Sequence, residues 1–142
     1  MRARQWLFGT ADSGPTADAG LLILRVGVGL LLAFLHGIGK IPPPEWLIDR
    51  SGAMGFPVPV FFAWMAGIAE FFGGILIALG LLTRPAALLV VLQFIVVVFI
   101  AHAGDPMGER TLGALYGIGA LAIALTGPGR YSLDALIARR GS

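Results

Sequence analysis

The chain has no cysteine among its 142 residues. That excludes disulfides, thiolate metal sites, iron–sulfur clusters and thiol redox chemistry by this chain alone. Charge is scarce as well: charged residues make up 13% of the chain, and the formal net charge is +2. A sequence pI near 9.7 invites a nucleic-acid reading. No basic cluster of that kind exists, and the excess fits arginines at a membrane surface better. Also missing are the GxxxxGKS/T phosphate loop, HExxH, a CxxCH haem attachment and the GxSxG elbow. The Glu-x-x-His pairs of di-iron bundles are absent. Gly27 and Gly29 read as helix-packing glycines and not as a dinucleotide turn, because no strand precedes them.

What is abundant is apolar surface. Hydrophobic residues make up 57% of the chain, and the mean hydropathy is +0.87. A soluble domain of this size could not hide that much, because small domains have a high surface-to-volume ratio. The apolar residues fall into four segments, about Ala19–Ile41, Val58–Leu82, Pro85–Ala101 and Thr111–Gly127. A run of roughly 20 apolar residues spans a bilayer as a helix. The expected fold is therefore all-α: a four-helix transmembrane bundle over residues 19–127. A polar segment, 1–18, precedes it. Residues 128–142 follow as a surface helix in which Ser132 caps, Leu133, Leu136 and Ile137 share a face, and Arg139 and Arg140 close.

The connections are unequal. Thr83-Arg84-Pro85 is read as a tight turn that makes the second and third spans antiparallel neighbours. The loop from Pro42 to Pro57 is long. Its Glu45-Trp46-Leu47-Ile48 stretch reads as a short interfacial helix with Trp46 at headgroup level, and Ser51–Pro59 reads as irregular. Placing the N-terminus in the cytoplasm puts Arg2, Arg4, Arg84, Arg130, Arg139 and Arg140 on that side and Lys40, Arg50 and Arg110 opposite. That bias favours both termini cytoplasmic.

Small residues line one face of two spans: Ala63, Gly67, Gly74 and Ala78 in the second, and Gly113, Gly117, Ala120 and Ala124 in the fourth. Such stripes let helices approach closely. Each carries an acid, Glu70 and Glu109. Glu70 is mid-span, where a carboxyl is expected to be partnered or protonated. In the first span Arg25, Gly29, His36 and Lys40 share a sector. His36 stands eleven residues, about 16 Å, above Arg25. His36, Lys40, Glu70, His102 and Glu109 are all expected in the outer half, with Tyr116 on the facing stripe. Glu70 is expected to meet His36 or Arg25. Lys40 is read as a residue that snorkels to the interface. His102-x-x-Asp105 has ligand-like spacing, but Pro106 and the helix end argue against a metal. Bis-histidine haem ligation by His36 and His102 is a further reading that depth alone permits. Gln93 faces away from His102 and has no role in this reading. Both halves of the chain run His, loop, Glu, helix, Thr, Arg, which suggests a parallel internal repeat.

Several of these signals occur together in one known family. Arg25 with His36-Gly37 and Lys40, Glu70 with Gly73-Gly74, Gly80-Leu81-Leu82-Thr83-Arg84, and the closing Gly127-Pro128-Gly129-Arg130 with Ser132-Leu133-Asp134 stand in the order seen in DoxX proteins. The chain resembles that family of small bacterial membrane proteins over about Leu21 to Ile137. The resemblance implies four membrane helices. It also implies a redox association, since the family takes its name from a subunit of a thiosulfate:quinone oxidoreductase.

Two functions remain open at this point, and the sequence does not decide whether the protein is an enzyme. One is a redox-associated subunit that binds a quinone-like or other amphipathic ligand within the bundle. Arg25, His36, Lys40, Glu70, His102, Glu109 and Tyr116 are its candidate binding residues, and electrons would come from a membrane or peripheral redox partner. The other is a non-catalytic module that assembles or stabilises a larger membrane complex. Lipid is the expected surrounding in both, no nucleic acid is expected in either, and a homo-oligomer fits either.

Overall fold

A computed structural model describes residues 14–140, and among them no strand occurs. Helix α1 runs Gly14–Leu31 and continues through a π-helical turn, Leu32–Gly37, and a 3₁₀ turn, Ile38–Lys40. Helix α2 is Glu45–Ala53, α3 is Pro59–Leu79, α4 is Thr83–Val96 with a π-helical extension Val97–Ala101, α5 is Met107–Thr126, and α6 is Leu133–Arg140. Three of these rods, Gly14–Lys40, Pro59–Leu79 and Thr83–Ala101, are long and apolar enough to cross a membrane. The equally long α5 carries Glu109 and Arg110 in its first turn and is less apolar. Residues 1–13 of the polar N-terminal segment and the last two residues lie outside the described part; residues 14–18 already belong to α1.

The outer surface of the long helices is apolar. Ile23 is 73% exposed, Leu35 70% and Ile118 65%. A contiguous surface of this kind has no place in water and is covered by lipid acyl chains. Small residues hold the interior. Gly29 lies against the backbone of Gly74 and Ala78, Gly37 against the backbone of Glu70 and Phe71, and Gly67 against the Lys40 carbonyl. No side chain fits at any of the three, so α1 and α3 touch nearly backbone to backbone. Gly27, by contrast, meets open space; it is not a packing glycine. Helices α4 and α5 pack through Val90, Phe94, Tyr116, Ala120 and Ile123, with Leu32 and Ile77 completing the core.

At one end of the molecule a polar clasp fixes the chain. Helix α3 ends at Gly80 (φ 69°), whose N–H donates to the Ile77 carbonyl while Leu81 N–H donates to Leu76. This is the Schellman arrangement, and it needs a residue at ease with positive φ. The turn is thus Gly80–Leu82 and not Thr83-Arg84-Pro85, because Thr83 already belongs to α4. Leu82 also has positive φ, 47°, which is uncommon outside glycine. Asp134, fully buried at the start of α6, accepts hydrogen bonds from Leu82 N (2.8 Å), Thr83 N (2.9 Å) and Thr83 Oγ1 (2.8 Å). Its carboxylate therefore caps α4 from 51 residues away. Ser132 Oγ accepts from Ala135 N and caps α6. Leu133, Leu136 and Ile137 remain exposed on its outer face.

The loop between α2 and α3 is more ordered than its glycines and prolines suggest. Helix α2 runs on to Ala53, and buried Ser51 satisfies its hydroxyl by donating to the Leu47 carbonyl at 2.8 Å. Leu47 packs on Ala63 and Ala66 of α3.

Candidate ligand cleft between the helices

The end of the molecule away from the clasp holds the sequence's polar exceptions. Glu70 is 1% exposed, on the inward face of α3. The Lys40 ammonium donates to its two carboxylate oxygens at 2.7 and 2.6 Å. Gln93 Nε2, on α4, donates to Oε1 at 3.1 Å. Three rods thus meet at one carboxylate. The hydrogen bonds of Glu70 thus come from Lys40 and Gln93 and not from the expected His36 or Arg25; His36 shares its cavity, and Arg25 bonds elsewhere. The 3₁₀ turn that closes α1 turns Lys40 inward, so it does not snorkel, and Gln93 supplies the second contact.

A cavity of about 200 Å³ opens beside this pair. His36, Lys40, Glu70, His102, Glu109 and Tyr116 all stand in its walls. The Tyr116 ring meets the His36 ring in a T-shaped arrangement, centroids 5.2 Å apart, and stacks on Phe94 at 5.4 Å. His102 Nδ1 is 2.5 Å from Asp105 Oδ2. Arg110 donates to the carbonyls of Asp105 (2.8 Å) and Ala103 (2.5 Å), which fixes the α4–α5 connection at the rim. Among the described residues no three histidine, aspartate or glutamate side chains converge as metal ligands.

A second cavity of about 220 Å³ lies under α2, between Trp46, Leu47, Met54, Phe62 and Met65. Lys40, Val97 and His102 stand in the walls of both. Arg50 ties α2 over it by donating to the Ala101 carbonyl at 2.8 Å. Both π-helical turns end at this cleft: His36 lies in the first and His102 follows the second. Such turns occur often at functional sites.

Arg25 is not part of this cleft. It is 1% exposed at the clasp end and donates to Ile77 O (3.1 Å), Ala78 O (3.4 Å) and Tyr131 O (2.6 Å). It neutralises the final carbonyls of α3, where a cation is favourable, and its charge faces that of Asp134. Buried Asp18 accepts from Arg130 N at 3.1 Å. Glycine at 80 leaves room for the Arg25 guanidinium, and glycine at 127 for that of Arg84.

Most of the cleft residues, and Arg25 of the clasp, fall within one family profile. The DoxX family profile matches residues 20–103, which hold Arg25, His36, Lys40, Glu70, Gln93 and His102. The chain belongs to the DoxX family. Similar proteins run beyond the profile. "Inner membrane protein YphA" of Escherichia coli K12 is 32% identical over 132 residues, 87% of this chain and 94% of that protein. "Putative oxidoreductase CatD" of Bacillus subtilis 168 is 31% identical over 121 residues, 84% and 88% of the two chains. "Inner membrane protein YqjF" of Escherichia coli K12 is 32% identical over 127 residues, 87% and 95%. No solved structure matches. As a DoxX protein with three helices able to span, the chain is a membrane protein in contact with the lipid bilayer.

Sequence reasoning missed Gln93 and Asp134 in this DoxX chain. Gln93 is the lone amide in an apolar run, which is itself a sign of an inward partner. Asp134 stands in the closing block, but nothing local says that its carboxylate caps a helix far away in sequence.

Proposed function

We propose that this DoxX protein spans a bacterial inner membrane with four helices, α1, α3, α4 and α5, with both termini cytoplasmic. In this reading its outer-half cleft binds the head of a quinone-like amphiphile, and the protein serves as a redox-associated subunit. The observation that carries the reading is the Lys40–Glu70–Gln93 constellation. A buried ion pair is costly to build, and this one opens onto a chamber and stands at the junction of two cavities. Ligand sites are mostly apolar hollows with a few convergent polar groups, as here. Lys40 offers donors to a carbonyl oxygen. Glu70, His36 and Tyr116 can hold and pass a proton at that point. The quinone would supply the redox chemistry, and its electrons come from a partner protein or a bound cofactor. The name of the Bacillus subtilis relative agrees with a redox setting. The inner-membrane names of the Escherichia coli relatives and the arginine bias support the location and topology.

The test is thermal denaturation of the purified protein with and without a short-chain quinone, for the wild type and for Glu70→Gln. A quinone-dependent rise in Tm in the wild type, absent from Glu70→Gln when each protein is compared with its own quinone-free Tm, is the expected result. No quinone-dependent shift in the wild type, with Glu70→Gln acting only on stability or complex assembly, would instead favour the assembly module.

A further inference from the structure

We infer that the clasp end binds one anionic membrane phospholipid, with its phosphate at Arg130 and Arg139 and its glycerol end against Leu79, Leu133 and Leu136. The inference stands apart from the ligand-cleft reading. A groove of about 350 Å³ lies between Leu79, the last residue of α3, and the segment that leads into and along α6. The three leucines line it, Arg130 and Arg139 are its charged residues, and no acid stands in its walls. Both arginines and all three leucines are exposed.

Depth and charge together decide the class of occupant. Leu79 ends a rod apolar enough to cross a membrane, so the groove stands where hydrocarbon gives way to headgroups. Exposed Tyr131 is at the same level, which suits a ring with a polar tip. A guanidinium there meets lipid phosphate, and its planar fork matches phosphate oxygens. The two arginines are tethered to one turn: Arg139 Nη2 donates to the Arg130 carbonyl at 3.4 Å, and Arg130 N donates to Asp18 at 3.1 Å. Asp18 and Asp134 are buried and accept from backbone N–H groups, so the exposed charge of the groove is positive. A zwitterionic headgroup would bring its own ammonium against the guanidiniums, whereas phosphatidylglycerol brings none. A soluble anion has no use for the leucine lining. The site is also tied to the clasp. The Tyr131 carbonyl accepts from Arg25 at 2.6 Å, Ser132 Oγ donates to the Gly129 carbonyl at 2.7 Å, and Asp134 caps α4. A lipid seated on α6 therefore holds the segment that closes the clasp, and binding stabilises the folded protein.

The test uses the full chain in detergent micelles at low salt, with phosphatidylglycerol or phosphatidylcholine titrated in. Native mass spectrometry reads the retained lipid, and thermal melts read Tm, each protein against its own lipid-free value. Phosphatidylglycerol should be retained in preference and should raise Tm, and phosphatidylcholine should do neither. Arg130→Gln and Arg139→Gln should each weaken retention about fivefold, and the pair about thirtyfold. Leu136→Trp, at an exposed position, fills the groove while leaving both arginines in place, and should abolish retention. Arg140→Gln removes the same charge from the same helix outside the groove, and should leave retention unchanged. Equal retention of the two lipids would overturn the inference. So would an equal loss in Arg140→Gln, which marks diffuse surface charge, or displacement of the lipid by equimolar inorganic phosphate, which marks a soluble-anion site. A second copy or another protein that covers the groove and leaves no lipid there would overturn it too.

Discussion

Asp134 shows how one side chain can hold distant parts of the chain together. It is completely buried and satisfies three donors at the α3–α4 turn. Asp134→Ala strands those donors beside Arg25 and is expected to cost about 3–5 kcal/mol, the range for breaking a buried charge network. Asp134→Asn, which keeps one acceptor, should cost less. Thermal melts in one detergent would rank the two, and equal stability of all three proteins would refute the capping role. At the cleft, Lys40→Met leaves Glu70 with Gln93 alone. A loss of about 2–3 kcal/mol is expected, below that of a fully buried pair because the Lys40 side chain is 19% exposed. Lys40→Met with Glu70→Gln should recover most of the loss, as a double-mutant cycle would record. At this scale the sequence was informative about which residues matter and poor about whom they touch. Charges in apolar runs announce themselves by their cost. Their partners depend on helix rotation and on the 3₁₀ turn at Lys40, which leave no local trace in the composition. Arg25 shares a helix face with His36 but stands eleven residues away, and its partners lie in the clasp while His36 lines the cleft.

Between helices, glycine decides how close two rods can come. A Cβ at Gly29 would run into the backbone of Gly74 and Ala78, whereas one at Gly27 meets nothing. Gly29→Ala must push α1 from α3 and should lose about 1–3 kcal/mol, the usual cost of overpacking. Gly27→Ala should gain about 0.4–1 kcal/mol by restricting the unfolded chain. Opposite signs for two neighbouring glycines on one helix are readily checked by denaturation, and equal effects would contradict the packing. The small-residue stripe of α3 was legible because its period matches the helical repeat. Helix boundaries were less so: α1 starts at Gly14 and α5 at Met107, each several residues before its apolar run. Helices can begin in polar sequence that hydropathy passes over. The π-helical turns had no sequence signal at all, although the two histidines that open the expected repeat both stand at them.

Over the whole molecule, the two polar constellations stand at opposite ends. The cleft gathers acids, histidines and Lys40, while the clasp gathers Arg25, Asp18 and Asp134. If Arg84, Arg130, Arg139 and Arg140 mark the cytoplasmic side, reporter fusions after Arg84 and at the C-terminus should both report cytoplasm. Either one outside would overturn the topology. The helical class and the membrane setting were readable from the apolar runs, because a run of about 20 apolar residues satisfies its own backbone in lipid as a helix and is about twice the length of a barrel strand. The clasp was not, since it joins residues from both halves of the chain. That separation in sequence is also a separation in time. A ribosome adds roughly 5–20 residues per second, so Asp134 is made about 3–10 seconds after the Thr83 it caps, 51 residues earlier. Until then the turn between α3 and α4 holds its positive-φ Leu82 without the carboxylate that stabilises it. Helix α6, synthesised after both partners, therefore completes a hairpin that precedes it, and a nascent chain interrupted before Asp134 would leave that hairpin open to rearrangement or proteolysis.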